Sequence, residues 1–270
     1  MFFSLYIVAT PIGNLKDISL RAVETLKNVD RILCEDTRVS AKLLQNCDIK
    51  TPMTVYNDHN ATRVIPKIIQ AILSQNERFA LISDAGTPLV SDPGYKLVNA
   101  CIENKISFTV IPGASAVISA LVLSGLPSDR FTFVGFSDAS KFAELSQINS
   151  TLIFYEAPSR IVNTLEQMQM VFKNRTVVVV KEITKMYENA IRGDFDFVIS
   201  NFKENVPKGE FVILLSPPKH SNTDKIEELQ PLISELNGKI SKKELSSILS
   251  KYSGISKNTL YNYLTERYND

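Results

Sequence analysis

A short apolar run at residues 79–82 ends abruptly in a polar segment made of Ser83, Asp84, Ala85, Gly86, Thr87 and Pro88. A buried strand that stops in acidic, hydroxyl, Gly and Pro residues is typical of the ligand loops that α/β proteins form at the carboxyl ends of parallel strands. Glycine lets the backbone approach a ligand closely, and proline fixes the loop conformation. The segment therefore predicts a binding loop, and an ordinary strand-to-helix connection is the alternative reading.

Other apolar runs in the first half of the chain end in similar segments, which lie at residues 10–14, 35–38, 57–60 and 112–116. Most of these segments lead into stretches whose apolar residues recur at helical spacing. Alternating strands and helices predict a mostly parallel sheet, so the loops would meet at one edge of it. Acids, hydroxyls and close-packing Gly and Pro residues at such an edge suit a polar organic cofactor held largely by backbone groups.

The second half of the chain begins after a Gly/Pro break at residues 125–128. Its predicted strands lie at residues 131–136, 151–156, 176–180 and 211–216, and its predicted helices at residues 159–172 and 194–201. We therefore predict an α/β protein with an N-terminal α/β domain over residues 1–113, a second α/β domain over residues 114–219 and a helical, helix-turn-helix-like tail over residues 220–270.

The predicted tail contains an amphipathic segment at residues 224–236, a capping box formed by Ser241 and Glu244, and a last helix that Ser256 caps. Residues 239–270 carry six Lys or Arg and three acidic residues, so the tail is mildly basic. A solvated helical pair and an RNA contact both agree with this composition.

Composition places the chain among ordinary globular proteins, with 270 residues, 44% hydrophobic residues and a net charge of +1. That charge neither requires nor excludes a nucleic-acid partner. Three cysteines fit no zinc spacing or disulfide framework, and two histidines are too few for a His-rich cluster, so we predict no metal and a reducing cytoplasm. The apolar residues 1–9 are too short to span a membrane.

Familiar nucleotide and hydrolase motifs are absent from the sequence. No Gly-x-Gly occurs, so neither the dinucleotide fingerprint nor a Walker loop is present. No Gly-x-Ser-x-Gly elbow occurs either, which excludes the α/β-hydrolase nucleophile.

Taken together, the strand-end segments resemble the tetrapyrrole-methylase family, over roughly residues 5–216 and again in the tail. The matching segments lie at residues 9–18, 35–38, 58–60, 83–88, 91–94, 112–116, 124–127 and 154–158. Within that family the chain is similar to members that methylate the ribose 2′-hydroxyl of a cytidine in 16S rRNA of the small ribosomal subunit. The resemblance implies a homodimer and S-adenosyl-L-methionine as methyl donor, bound in a cleft between the two α/β domains.

The resemblance also implies site residues. The cofactor would contact Pro11, Asp84, Ala85, Gly86, Thr87, Pro88, Ser115, Ala116, Tyr155 and Glu156. The RNA would contact Thr10, Gly13, Asn14, Asp36, Thr37, Arg38, His59 and Arg160.

Methyl transfer mainly requires alignment of the acceptor oxygen, and a base can assist by taking the hydroxyl proton. Asp36, His59 and Asp84 are the candidate catalytic residues, and the sequence does not choose among them. His59 is equally compatible with a loop hydrogen bond at a helix entry. Arg38 can contact phosphate or pair with Asp36, and we favour phosphate.

The chain departs from the family pattern at residues 137–141, where a single Lys replaces a basic loop, and at Ser159, where His is common. Fewer phosphate contacts would weaken RNA affinity and its salt dependence. Two alternatives therefore stay open: methylation of a tetrapyrrole-like small molecule on the same fold, and a non-catalytic ribosome-binding protein.

Overall fold

The computed structural model describes residues 3–204, 208–219, 226–227 and 229–268. The chain divides into two compact units, residues 1–217 and residues 218–270. Two five-stranded sheets lie in the first unit. The predicted division of this first unit into two domains near residue 113 stays a prediction.

The first sheet has the strand order β3-β2-β4-β1-β5, and each of its four neighbouring pairs is parallel. Its strands are β1 (Leu5–Val8), β2 (Arg31–Cys34), β3 (Met53–Val55), β4 (Phe79–Leu81) and β5 (Phe108–Ile111). Its helices are α1 (Leu20–Asn28), α2 (Thr37–Asn46), α3 (Ala61–Gln75) and α4 (Tyr95–Glu103). The predicted parallel sheet is therefore confirmed, and so is the alternation of strand and helix.

Both faces of this sheet are covered, because successive residues of a strand point to opposite sides. In β4, Phe79 and Leu81 pack with α3 and α4, whereas Ala80 and Ile82 pack with α1 and α2. A strand buried on both faces must be apolar throughout, which is why residues 79–82 carry no polar side chain. The polar residues begin only where the strand leaves the core.

The second sheet has the strand order β6-β7-β10-β8-β9 and is mostly antiparallel. Its strands are β6 (Phe131–Phe136), β7 (Thr151–Glu156), β8 (Val177–Lys181), β9 (Asn189–Gly193) and β10 (Phe211–Leu215). Only β6 and β7 run parallel. Strand β9 was not predicted from the sequence, because a single residue of this edge strand, Ile191, is buried.

One face of the second sheet packs against α6 (Phe142–Ser146), α7 (Ile161–Val171) and α8 (Phe195–Glu204). The other face packs against α5 (Ala116–Ser124), which follows the last strand of the first sheet. Ser115 occupies the N-cap position of α5, but its side chain makes no capping hydrogen bond. Ser115 lines the cavity described below.

A buried guanidinium fastens the ends of the second sheet. Arg175 donates to the backbone oxygens of Ser146, Ile148, Ser150 and Ser216 at distances between 2.6 and 3.1 Å. Burial lowers the pKa of Arg175 to about 10. The charge remains paired with four carbonyl dipoles, so the segments before β7 and after β10 are held together.

The second unit contains the helices α9 (Gln230–Leu236), α10 (Lys242–Ser253) and α11 (Lys257–Arg267). The capping box of Ser241 and Glu244 is confirmed, and Gly254 ends α10 in the left-handed conformation at φ 70°. Ser256 caps α11 as predicted. The predicted helix start at residue 224 lies outside the described residues. Helix α9 begins at Gln230.

Each unit has hydrophobic clusters of its own, and the tail cluster centres on Ile233, Leu245, Leu249, Leu260 and Leu264. We therefore expect a chain that ends at Pro217 to fold without the tail. Its thermal midpoint should lie within about 5 °C of the full chain, measured by circular dichroism. A non-cooperative melt of the shortened chain would contradict this division.

Candidate active site

A cavity of about 300 Å³ lies where the strand ends of the two sheets meet. Its walls combine loops of the first sheet with the start of α5, the end of β7 and the start of β10. The lining residues are Ile12, Ala85, Gly86, Thr87, Val90, Ser115, Ala116, Phe136, Tyr155, Glu156, Ala157, Pro158, Ile183, Gly209, Glu210, Phe211 and Val212. Most of these side chains are apolar or small, so much of the hydrogen-bonding capacity at the wall belongs to the backbone.

A backbone bridge between the loops after β1 and β4 forms one side of the cavity. Thr10 N donates to Gly86 O at 2.8 Å, and Gly86 N donates to Thr10 O at 3.1 Å. The buried Thr10 hydroxyl donates to Ser83 O at 3.2 Å. Gly86 has φ +82°, a conformation that favours glycine. The bridge thus favours a glycine at position 86, and the Thr10 hydroxyl adds a further hydrogen bond between the two loops.

Another part of the rim is the loop between β8 and β9. Gly13 packs so closely on this loop that an added Cβ would lie 2.8 Å from Lys185 Cγ and 2.8 Å from Thr184 Oγ1. Asn14 N donates to that same Thr184 Oγ1 at 3.1 Å. Lys185 Nζ pairs with Glu210 at 2.9 Å, and Glu210 borders the cavity. Contacts between the two loops therefore fix the rim on this side.

The carboxylate of Glu156 is buried at the end of β7 and has several partners. It accepts hydrogen bonds from the Ser137 hydroxyl, from Thr164 Oγ1 at 2.6 Å and from Ala157 N at 2.7 Å. Arg160 Nη2 lies 2.8 Å from its Oε1. These partners occupy Glu156, so its role at the cavity wall is to position the segment that carries Ala157.

Asp36 is the N-cap of α2 and the partner of Arg38. It accepts from Arg38 N at 2.8 Å, and Arg38 Nη2 lies 2.6 Å from its Oδ2. Hydrogen bonds from the Arg38 side chain, together with its backbone, lower the pKa of Asp36 to about 2. Asp36 is therefore a weak base, and the pairing of Arg38 with Asp36 is the arrangement that the structure shows.

Asp84 turns toward the end of β2 rather than into the cavity. Its Oδ1 accepts from Asp36 N at 3.3 Å. Partial burial raises the pKa of Asp84, and the Asp36 charge adds to that increase, while the amide hydrogen bond opposes it. The surroundings of Asp84 therefore make this candidate a stronger base than an ordinary aspartate.

Two further carboxylates accompany Asp84. Burial raises the pKa of Asp92 to about 6, with smaller contributions from Glu35 and Asp84, and a hydrogen bond with Ser83 opposes the increase. Burial also raises the pKa of Glu35, again with help from the charge of Asp84. Tyr155 on the cavity wall feels the charge of Asp92, in addition to the burial that raises its pKa to about 12. The three acids therefore form one electrostatic group beside the cavity.

The structure brings together most of the residues predicted to contact the cofactor. Those that line the cavity are Ala85, Gly86, Thr87, Ser115, Ala116, Tyr155 and Glu156. Pro11, Asp84 and Pro88 belong to the same loops but are not among the lining residues.

The predicted RNA contacts fall into distinct groups. Thr10 is buried within the bridge, and Gly13 and Asn14 pack on the rim loop. Thr37 begins α2 beside the paired Asp36 and Arg38. His59 is exposed in the turn before α3. Arg160 is half exposed and pairs with Glu156, which ends strand β7 of the second sheet.

Several lining residues were not predicted. Ile183, Gly209, Glu210, Phe211 and Val212 come from β10 and from the segments that precede β9 and β10. Their sequence reads as an ordinary buried strand with a turn, so no local signal marks them. Only the structure shows that Gly209 has φ +95° and that its missing Cβ makes room for the Glu182 carboxylate.

Neither a metal-binding cluster nor a membrane-spanning helix occurs in the part of the chain that the structure describes. No group of three or more His, Cys, Asp or Glu residues there is arranged to hold a metal ion. No helix in those residues is long and apolar enough to cross a membrane.

Comparison with known proteins adds a second line of observation. Residues 4–197 match the family model of the tetrapyrrole (corrin/porphyrin) methylases. The chain is 50% identical over 218 residues to the ribosomal RNA small subunit methyltransferase I of Rickettsia prowazekii (strain Madrid E), which covers 78% of each chain. It is 47% identical over 220 residues to the protein of the same name from Hydrogenobaculum sp. (strain Y04AAS1), which covers 78% of this chain and 95% of the relative.

Among solved structures, the chain is similar to the uroporphyrin-III C-methyl transferase from Thermus thermophilus in complex with S-adenyl homocysteine. The TM-score is 0.54 at 17% identity, and the match covers 78% of this chain and 96% of that one. At this identity the similarity supports the fold alone.

Asp92 gives the site a testable pH dependence. Its pKa is raised in the folded state, so the ionised carboxylate opposes folding, and the stability that protonation provides is lost as the pH rises through about 6. We expect Asp92→Asn to increase the free energy of unfolding in urea at pH 7.5 by about 1 kcal/mol, after allowance for solvent screening. The gain should shrink toward zero as the pH falls from 6 to 4. An equal loss of stability at both pH values would contradict this prediction.

Proposed function

Because the chain belongs to the tetrapyrrole (corrin/porphyrin) methylase family, we propose that it is an S-adenosyl-L-methionine-dependent methyltransferase whose acceptor is a cytidine ribose 2′-hydroxyl in 16S rRNA of the small ribosomal subunit. The observation that carries this proposal is the cavity, whose first-sheet wall includes Ala85, Gly86 and Thr87 of the predicted binding loop. The relatives named ribosomal RNA small subunit methyltransferase I support the class of acceptor.

The residues at the cavity fit such a cofactor. A volume of about 300 Å³ lies at the lower end of the range for small-molecule sites. The bridge glycine Gly86 and the small residues Ala85, Ser115 and Ala116 let the cofactor approach the backbone, and Glu210 is a carboxylate suited to a cationic or hydroxyl group. When bound, S-adenosyl-L-methionine supplies an activated methyl group, and these residues would hold it.

The chain itself must align the acceptor oxygen and receive its proton. Correct alignment of two reactants is worth about 7–11 kcal/mol of a reaction barrier at best. The rigid loops around the Thr10–Gly86 bridge suit that task. For the proton, we propose Asp84, because Asp36 is held as a weak base by Arg38 and the raised pKa of Asp84 makes it the stronger acceptor.

We further propose that the tail helps to dock the enzyme on the ribosomal subunit rather than to transfer the methyl group. The match to the Hydrogenobaculum relative covers 78% of this chain and 95% of the relative, and the family model ends at residue 197. The chain shortened at Pro217 should therefore still bind S-adenosylhomocysteine in calorimetry.

A homodimer in a reducing cytoplasm is the proposed state of the protein. Helix α5 is apolar on most sides and leaves Ile118 and Val122 exposed, and all three cysteines are free thiols. Sedimentation of the purified chain tests the dimer.

The activity is tested with small ribosomal subunits from a bacterial strain that lacks this modification. We expect labelled methyl groups to enter 16S rRNA, and mapping by primer extension at low nucleotide concentration to place them on a cytidine ribose. Transfer to a tetrapyrrole precursor in place of RNA would contradict the proposal. Absence of cofactor affinity in calorimetry would favour a non-catalytic ribosome-binding protein.

Asp84→Asn separates the proton-accepting role from cofactor binding. The amide keeps the shape of the side chain and removes its basicity, so we expect kcat to fall by about 10²- to 10⁴-fold. The dissociation constant for S-adenosylhomocysteine should stay within about twofold, because Asp84 does not line the cavity. Asp36→Asn is the matched comparison and should lower kcat by a smaller factor, because that carboxylate serves as a helix cap. A larger kcat loss in Asp36→Asn would assign the proton to Asp36 instead.

A further inference from the structure

Strand β6 contains a bulge that changes the direction of one aromatic ring. Phe133 and Phe136 are three positions apart, so a regular strand would place them on opposite faces. The pairing with β7 shifts between Phe133 and Gly135, and Gly135 has φ +86°. As a result both rings contact Tyr155, with centroids 4.9 Å and 5.8 Å from it. Bulges that re-aim a side chain are common beside active sites.

The redirected Phe136 ring is exposed although it borders the cavity. It is 58% exposed, and Tyr155 supports it from within. The cofactor would occupy the interior of the cavity, where the small residues Ala85, Gly86 and Ala116 form part of the wall. A ring at the mouth then remains available to whatever approaches the methyl group from outside.

A hydrogen-bonded chain connects the residue after this ring to a cation. Ser137, the next residue, donates its hydroxyl to Glu156, and Glu156 in turn holds the half-exposed guanidinium of Arg160. Lys141, the single base of the adjoining loop, lies 3.9 Å from Asp138 and is partly neutralised by it. The mouth of the cavity therefore carries an exposed aromatic ring, and the Glu156 carboxylate links the neighbouring Ser137 to an arginine. An aromatic surface with a neighbouring cation matches a nucleotide, whose base stacks and whose phosphate pairs with the charge.

We propose that Phe136 is a stacking platform for an unpaired base of the acceptor RNA, with Arg160 as its phosphate partner. This inference rests on the proposed function and adds to it a residue that selects for single-stranded nucleic acid. A tetrapyrrole acceptor would have no phosphate for Arg160. The bulge beside Gly135 then directs Phe136, a residue of the edge strand β6, toward the acceptor.

The first test compares steady-state kinetics of Phe136 variants on unmodified small subunits. Loss of one base stack corresponds to about 5- to 150-fold weaker binding, so we expect KM of Phe136→Ala for the subunits to rise within that range. The affinity for S-adenosylhomocysteine should stay within about twofold. KM of Phe136→Tyr should stay near that of the unsubstituted enzyme, because tyrosine keeps the ring. KM of Phe136→Leu should rise as in Phe136→Ala, because leucine is apolar but has no ring.

Phe131 provides a matched control on the same strand. It is 42% exposed and does not line the cavity. Phe131→Ala should therefore leave KM unchanged. Equal KM for Phe136→Ala and the unsubstituted enzyme, or full rescue by leucine, would overturn the inference. If the unsubstituted enzyme itself transferred no methyl group to RNA, the proposed function would fail instead, so the two failures are distinguishable.

The second test uses the absence of tryptophan from the chain. Phe136→Trp introduces a single indole at the mouth of the cavity, and Phe131→Trp introduces one at the other end of β6. We expect single-stranded polycytidylate at low salt to quench the emission at position 136 and to leave position 131 unchanged. Equal changes at both positions, or none at either, contradict the platform. Quenching at position 136 by S-adenosylhomocysteine alone would assign Phe136 to the cofactor.

Discussion

The site depends on the pair of backbone hydrogen bonds that joins Thr10 to Gly86. Loops that follow two neighbouring parallel strands normally diverge into their own helices. Here the bridge holds them side by side, so one wall of the cavity is made of main chain rather than of mobile side chains. The constraint explains two sequence features at once. Position 86 favours a glycine because its φ is +82°, and position 10 suits a threonine because the buried hydroxyl donates to the Ser83 carbonyl.

A second constraint comes from α5, which leaves one sheet and packs on the other. Its residues Val117, Ala120 and Leu121 share a hydrophobic cluster with strands β7, β8 and β10 and with Ile12. Ile12 lies two residues after Thr10, so the bridged loop is itself anchored on the second sheet. A loop of the first sheet therefore packs into a hydrophobic cluster of the second sheet at the cavity, which holds the two walls together.

Much of the fold was predictable because its determinants are local. Apolar runs such as residues 79–82 and the caps at Ser241 and Ser256 appear in the sequence and in the structure. The orientation of site residues was less predictable because it depends on distant partners. No sequence pattern around Glu156 indicates that Thr164 and Arg160 contact its carboxylate. Likewise, no pattern around Gly209 indicates that the Glu182 carboxylate lies where a Cβ would otherwise be. The antiparallel β10 supplies cavity residues that no strand-end pattern marks.

The largely uncharged cavity wall and the ionisable carboxylates lie on different sides of the site. The cavity wall is largely backbone and small side chains, so it holds a ligand without needing ionised groups of its own. The carboxylates gather outside it, where burial raises the pKa of Glu35, Asp84 and Asp92, and the charge of Asp84 adds to the increase at the other two. A raised pKa means a higher affinity for a proton, which is the property that a base for a ribose hydroxyl requires. Asp36, which pairs with Arg38, stays ionised, and its charge adds to the increase at Asp84. The acidic group therefore keeps one exposed carboxylate, Asp84, basic at the point where the bridged loop meets β2.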